Sequence, residues 1–268
     1  MAGLNRMRRI RVIPVLTIDR EHRLVKTVAF GKRTYIGDPI NAVRIFNTKM
    51  VDEILLLDID ASVDGRGPSF EAIGDIVEEA FLPMGYGGGI RSVDDAAQLF
   101  QLGLEKVVLS SEALANPALV TAIAERFGAQ AVAVSLPYAK KLLGGQQVLT
   151  KSGKSKTGQA PVEAAKAMVA AGAGEIILYS IDRDGKWSGY DVATVAAVAE
   201  AVDVPVVACG GAAGLGDFLP AVEGGASAVA ASSLFVYRAP NQGVLISYPD
   251  EANLKEQLFQ KLDCQNSD

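Results

Sequence analysis

The chain has 268 residues, 49% of them hydrophobic, with a formal net charge of -5. This length and apolar content allow a full buried core, in two small domains or one large α/β barrel. The acidic balance excludes the basic face of a nucleic-acid binder, and no run reaches the ~18 apolar residues that would span a membrane.

The N-terminal stretch RMRRIR (residues 6–11) reads as a solvated end rather than a nucleic-acid patch. Short apolar runs then alternate with longer amphipathic stretches. Strands are predicted at residues 11–17, 53–59, 82–87, 106–110, 131–136, 175–181, 204–210 and 227–232. Helical patterns such as SVDDAAQLFQLG and NPALVTAIAERFG lie between them. In the second, Asn116 precedes Pro117 as a capping residue ahead of a proline at the first helical position. The strands are continuously apolar, so both faces are buried, and that is the pattern of parallel strands. Eight strand–helix units in one chain of this size predict an α/β fold, a (β/α)8 TIM barrel, over an open doubly wound sheet. A single barrel domain over residues 1–268 is expected, with a helical tail from about residue 250.

The first half of the barrel recurs in the second. Asp58-Ile59-Asp60, Gly88-Gly89, Gly103 and Ser110-Ser111 return 122 positions later as Ser180-Ile181-Asp182, Gly210-Gly211, Gly225 and Ser232-Ser233. Two duplicated half-barrels would give this constant offset.

The repeated elements fall at strand ends, the ligand-binding face of a barrel. YGGGI and CGGAA offer backbone N–H groups with no Cβ in the way, and SSEAL and SSLF add hydroxyls. Four such loops in register suit a ligand with a phosphate at each end, although glycines also serve tight turns and serines cap helices. Asp184-Gly185 is a turn signal whose N–H groups could join the second site. Asp182 is a candidate acid or base, or else an aspartate fixing its own loop. The one histidine, His22, lies in a charged loop and is expected to face solvent. Trp187, in DGKWSG, is expected to be exposed, covering the ligand mouth or meeting a partner. Two cysteines, Cys209 and Cys264, make no disulfide framework and suit a reducing cytoplasm. A soluble cytoplasmic protein without metal or organic cofactor is the expectation.

LLLDIDAS, YGGGI, GAGEIILYSIDRDGKWSGYD, CGGAA and AVAASSLF together resemble the cyclase subunit of imidazole glycerol phosphate synthase, the barrel that closes an imidazole ring in histidine biosynthesis. The resemblance runs from Arg11 to about Arg238 and implies the half-barrel duplication and a ligand with two phosphates. One phosphate would meet Gly89, Ser110 and Ser111, with Ser110 replacing the family's usual asparagine. The other would meet Asp184, Gly185, Gly211, Ser232 and Ser233. The family takes ammonia from a glutaminase partner docked on the opposite barrel face, past a ring of charges. Arg11, Glu53, Lys106 and Glu175 match that ring, and Glu105 matches a glutaminase contact. Such charges can also simply neutralise one another at a barrel floor.

At one place the resemblance breaks. The family's two catalytic aspartates align with Thr17 and Pro137, which carry no carboxylate. Asp19, two residues beyond Thr17, is either a displaced substitute or a solvated loop aspartate. RTYIGDPINAVRIFN (33–47) and NQGVLISYP (241–249) resemble a branch that accompanies ATP-dependent sugar amidotransferases in surface-polysaccharide (O-antigen) gene sets. That branch implies ammonia delivered for amidation of an acetamido sugar. The alternative is a true cyclase with relocated acid and base, Asp19 and Asp182.

Overall fold

A computed structural model of the chain describes residues 10–142, 144–240 and 242–265. Strand β1 (Arg11–Ile18) leads into a hairpin of β2 (Leu24–Thr27) and β3 (Arg33–Gly37). Then come α1 (Pro39–Thr48), β4 (Ile54–Asp58), α2 (Ala61–Asp64), α3 (Phe70–Val77), β5 (Met84–Gly87), α4 (Val93–Gln101) and β6 (Lys106–Leu109). The second half runs through α5 (Ser111–Ala115), α6 (Pro117–Phe127), β7 (Val132–Lys140), β8 (Gln146–Thr150) and β9 (Ser155–Lys156). It continues with α7 (Pro161–Ala170), β10 (Glu175–Ser180), α8 (Val192–Ala201), β11 (Val206–Cys209), α9 (Phe218–Glu223), β12 (Ala228–Ala231) and α10 (Ser233–Val236). The last elements are α11 (Glu251–Leu254) and α12 (Gln260–Gln265).

Strands β1, β4, β5, β6, β7, β10, β11 and β12 pair in that order, every pair parallel, and β12 returns to β1. The sheet is therefore a closed (β/α)8 barrel. Alternation along each strand makes two cores. Val12 and Leu16 of β1 face the helices, whereas Ile13 and Val15 point inside. Inside they meet Leu55, Val108, Ala133, Ile177, Val207 and Ala230, so the barrel interior is apolar.

The duplication is visible in the backbone. β5 and β11 begin and end 122 positions apart, as do β6 and β12. Gly88 and Gly210 have φ of 133° and 90°, and a Cβ on either would come within 2.7 Å of Asp58 or 2.6 Å of Ser180. The same strand-end crossing thus demands glycine in both halves.

Three local features differ from the sequence expectation. β7 does not stop at residue 136 but continues through Pro137 to Lys140, because it pairs with β10 and then turns back antiparallel onto β8. The hairpins after β1 and β7 are extra to the eight-fold pattern; β3 is largely exposed and so lacks a buried alternation to announce it. Asn116 precedes Pro117 but its side chain makes no capping bond, whereas Ser92 and Asp95 form a full capping box on α4. At the C-terminal end Asp250 caps α11, and Leu254 and Leu258 pack into the outer core. Among the described residues no helix is long and apolar enough to cross a membrane. Residues 6–9 and Asn241, parts of two stretches singled out above, lie outside the described residues.

Candidate functional site

Two polar constructions sit at opposite ends of the apolar interior. The first is at the N-terminal ends of the strands, the floor. Arg11 opens β1, Glu53 immediately precedes β4, Lys106 opens β6 and Glu175 opens β10, so the first, second, fourth and sixth strands of the barrel bring two cations and two anions to one level. Lys106 Nζ donates to Glu53 Oε1 at 2.8 Å and to Glu175 Oε2 at 2.7 Å. Arg11 donates to the other oxygen of each glutamate, which closes a four-membered ring. Both glutamates are buried, 5% and 4% exposed, while Arg11 keeps an edge in solvent. Burial alone would lower the Arg11 pKa, but Glu175 and then Glu53 hold it above its ordinary value. Glu105 is exposed beside this ring, its N–H donating to Met84 O.

The second construction is at the mouth. A cavity of about 130 Å³ is lined by Thr17, Gly89, Ser110, Ser111, Ser135 and Pro137, among others. It rests on the inner core through Leu57, Val108 and Tyr179. Asp58 lines it from the end of β4, buried, accepting from Asp60 N and Ala61 N at 3.0 Å each and from Arg66 at 2.8 Å. Burial pushes the Asp58 carboxyl above its usual pKa, against the opposing pull of Arg66. Phe30 covers one side, edge-on to Tyr179 with ring centroids 5.0 Å apart.

A family description, histidine biosynthesis protein, matches residues 11–240. The chain belongs to that family. It is 44% identical over 230 residues to the imidazole glycerol phosphate synthase subunit HisF of Hyphomonas neptunium, covering 85% of this chain and 90% of the relative. A subunit of the same name from Streptomyces coelicolor is 41% identical over 226 residues, 84% of this chain and 90% of the relative. A Pseudomonas aeruginosa protein that carries the synthase subunit name provisionally is 47% identical over 245 residues, 91% of this chain and 97% of the relative.

In this member of the family the two sets of predicted phosphate residues are treated differently. Gly89, Ser110 and Ser111 line the open cavity. Asp184, Gly185, Gly211, Ser232 and Ser233 do not line it. The Asp184 carboxylate is instead buried against Lys26, at 2.7 and 2.8 Å, and Tyr179 donates to it at 3.3 Å. Its N–H, expected to point at a ligand, donates to Ser180 O and Ile181 O in a turn. A Cβ on Gly185 would lie 2.8 Å from Thr27 O, and one on Gly211 only 2.2 Å from Gly189 O. Both glycines are therefore required by close backbone approach. The loop after β2, tied by Ala29 N to Asp184 O, covers this half of the mouth.

Thr17 does line the cavity, but its hydroxyl donates to Val25 O and is committed to the β1–β2 turn. Pro137 is buried in β7 opposite Tyr179 of β10. Neither candidate replacement carboxylate lines the cavity. Asp19 is not on a continued strand, since β1 ends at Ile18, nor is it a solvated loop residue. It is 3% exposed and accepts from Glu21 N, Arg23 N and the Arg23 guanidinium. Burial would raise its pKa, but the Arg23 side chain and those amides bring it below the usual range. Asp182 accepts from Lys140 N at 2.7 Å and so fastens the end of β7 to the loop after β10. His22 and Trp187 are half-buried, not exposed, each with a left-handed backbone, φ 58° and 56°.

Sequence reasoning passed over Asp58 as a chemical group and Lys26 altogether. For Asp58 the signal was present: it begins the repeated strand-end triplet, at the end of a barrel strand where the ligand-binding face is expected. Lys26 carried no such signal, being one lysine in a short unforeseen strand.

Proposed function

We propose that this chain is the barrel subunit of a glutamine-dependent synthase, taking ammonia from a glutaminase at its floor and passing it to a phosphorylated ligand at its mouth. The observation that carries this is the closed ring of Arg11, Glu53, Lys106 and Glu175 beneath an apolar interior. Ammonia is small and neutral, and an apolar lumen neither protonates it nor retains it by hydrogen bonds. At the mouth Gly89, Ser110 and Ser111 would hold one phosphate, with Lys154 supplying charge at the rim. A second phosphate at Gly185, Gly211, Ser232 and Ser233 would require the Lys26–Phe30 segment to withdraw from Asp184. No metal or organic cofactor is invoked in the conduit, which needs only shape and charge.

Two fates are open to the ammonia. The names of the relatives favour ring closure to an imidazole in this barrel, the cyclase reaction of histidine biosynthesis. Asp19 and Asp182 are fastened elsewhere, so the carboxylate best placed for proton transfer is Asp58, whose raised pKa suits an acid. The other fate is delivery to an ATP-dependent sugar amidotransferase for surface polysaccharide, favoured by Thr17 and Pro137 at the family's aspartate positions.

The experiment is a comparison of nitrogen sources. Substituting Lys106 or Glu53 by alanine should change glutamine-driven turnover and leave ammonium-driven turnover intact; equal loss with both sources would remove the conduit. Incubation with the bis-phosphorylated cyclase substrate and excess ammonium then separates the fates. Imidazole glycerol phosphate formed by the wild type and lost in Asp58→Asn supports ring closure here; none formed leaves the delivery role.

A further inference from the structure

The floor carries two of the most exposed large apolar side chains among the described residues, and they are neighbours. Phe81 is 86% exposed and Met50 is 78% exposed. Met50 follows α1 and leads into β4; Phe81 follows α3 and leads into β5. Because β4 and β5 are adjacent and parallel, the two corners lie side by side at the strand N-terminal face. Asn47 joins them, donating to Glu79 O and accepting from Phe81 N at 3.2 Å. Met50 stands in the left-handed region, φ 50°, where glycine or asparagine would sit without strain. A residue that both strains its backbone and shows an apolar chain to water calls for an occupant of the surface it makes.

The charges around this pair define the occupant. Glu71 and Asp75 of α3 and Glu78 at its C-terminal cap are all exposed and fall at i, i+4 and i+7, so they form one acidic stripe running toward Phe81. Glu105 is exposed at the next corner, joined to this region through Met84 O. Arg44, the nearest arginine on α1, is occupied in a two-pronged pair with Glu79. Met50 lies three residues before Glu53, and both apolar corners stand on the same strand N-terminal face as the charged ring. Ammonia crossing between two proteins there is kept from bulk water only if the border is dry, and apolar contacts beside a polar opening supply that seal.

We infer that Phe81 and Met50 are the apolar anchor of the glutaminase interface, entering a pocket whose rim is cationic and is matched by the acidic stripe of α3. The inference rests on the glutaminase-fed function proposed above and adds the residues that select the partner. The test is titration of the full chain with each glutaminase of the imidazole glycerol phosphate synthase type encoded in the source genome. Phe81→Asp should weaken association by about 30-fold or more, the ordinary loss for a central aromatic anchor. Phe81→Tyr should restore most of it, and Met50→Ser should weaken it less. Leu142→Ser, on the opposite face and fully exposed, should leave it unchanged. Because Phe81 is exposed, the fold should survive its replacement, and far-ultraviolet circular dichroism checks this. Wild-type binding that Phe81→Asp leaves intact overturns the anchor but not the glutaminase-fed function. No wild-type binding to any of these glutaminases overturns the function itself. A self-associated wild type that Phe81→Asp converts to monomer would assign the surface to a second copy of this chain and overturn the anchor as well.

Discussion

The floor and the mouth of this barrel are both rich in charge, yet they use it in opposite ways. At the floor two cations and two anions share all their partners: each glutamate meets both Arg11 and Lys106, so one contact can open while the other holds. At the mouth four aspartates each have a principal base. Asp58 is held by Arg66, Asp60 by Arg33, Asp19 by Arg23 and Asp184 by Lys26. A shared ring can rearrange around a passing molecule, whereas separate pairs lock loops in place. The comparison teaches that carboxylates near a ligand site are not thereby available for proton transfer.

The largest effect should come from returning what the mouth lacks. Thr17→Asp with Pro137→Asp, assayed for imidazole glycerol phosphate with ammonium, should raise turnover by about 10²–10⁴-fold if only the acid and base are missing. No gain in a folded double variant would mean that the covered half of the mouth, not the missing carboxylates, limits the reaction.

Next is the strength of the locked pairs. Lys26 is 2% exposed and its removal strands the Asp184 carboxylate, so Lys26→Met should cost about 3–5 kcal/mol in urea unfolding. The shared ring should be more forgiving. Glu175→Gln leaves Glu53 to both cations and water to Arg11, so the loss should be about 1–3 kcal/mol. Equal losses at Lys26 and Glu175 would break the distinction between the two ends.

The smallest effect is a pH signature of the mouth. The Arg33 hydrogen bond holds Asp60 below the usual carboxylate pKa, and Arg23 holds Asp19 there against burial. Both titrate lower in the folded than in the unfolded chain. Their stabilisation is therefore complete above the ordinary aspartate pKa of about 4 and is lost as pH falls through the folded values. Asp58 has the opposite sign: its raised pKa withholds stability at neutral pH, and protonation returns it. Asp60→Asn should flatten the acid limb of a stability–pH curve, and Asp58→Asn should leave that limb at least as steep.

The eight barrel strands were legible because each is short, apolar on both faces and bounded by turn residues. The duplication was legible because the glycines at 88 and 210 answer to the same steric demand, and that demand acts on residue type directly. The four floor charges were placed through the family resemblance, helped by their position at strand starts. The hairpins after β1 and β7 were not legible, since exposed strands such as β3 carry no alternation. Their absence from the expectation hid the most consequential contact at the mouth, Lys26 with Asp184.

By itself, then, the sequence determined the barrel, its internal two-fold and the absence of a carboxylate at positions 17 and 137, because periodicity, glycine demand and residue identity are local properties. Only the tertiary structure decided which aspartates are free. Asp19, Asp182 and Asp184 look alike in sequence as polar loop residues. Their partners are Arg23, the Lys140 amide and Lys26, and the last two are brought to them across 42 and 158 positions by closure of the barrel. Ion pairing at such separations depends on the fold that brings the groups together, and no window along the chain contains it.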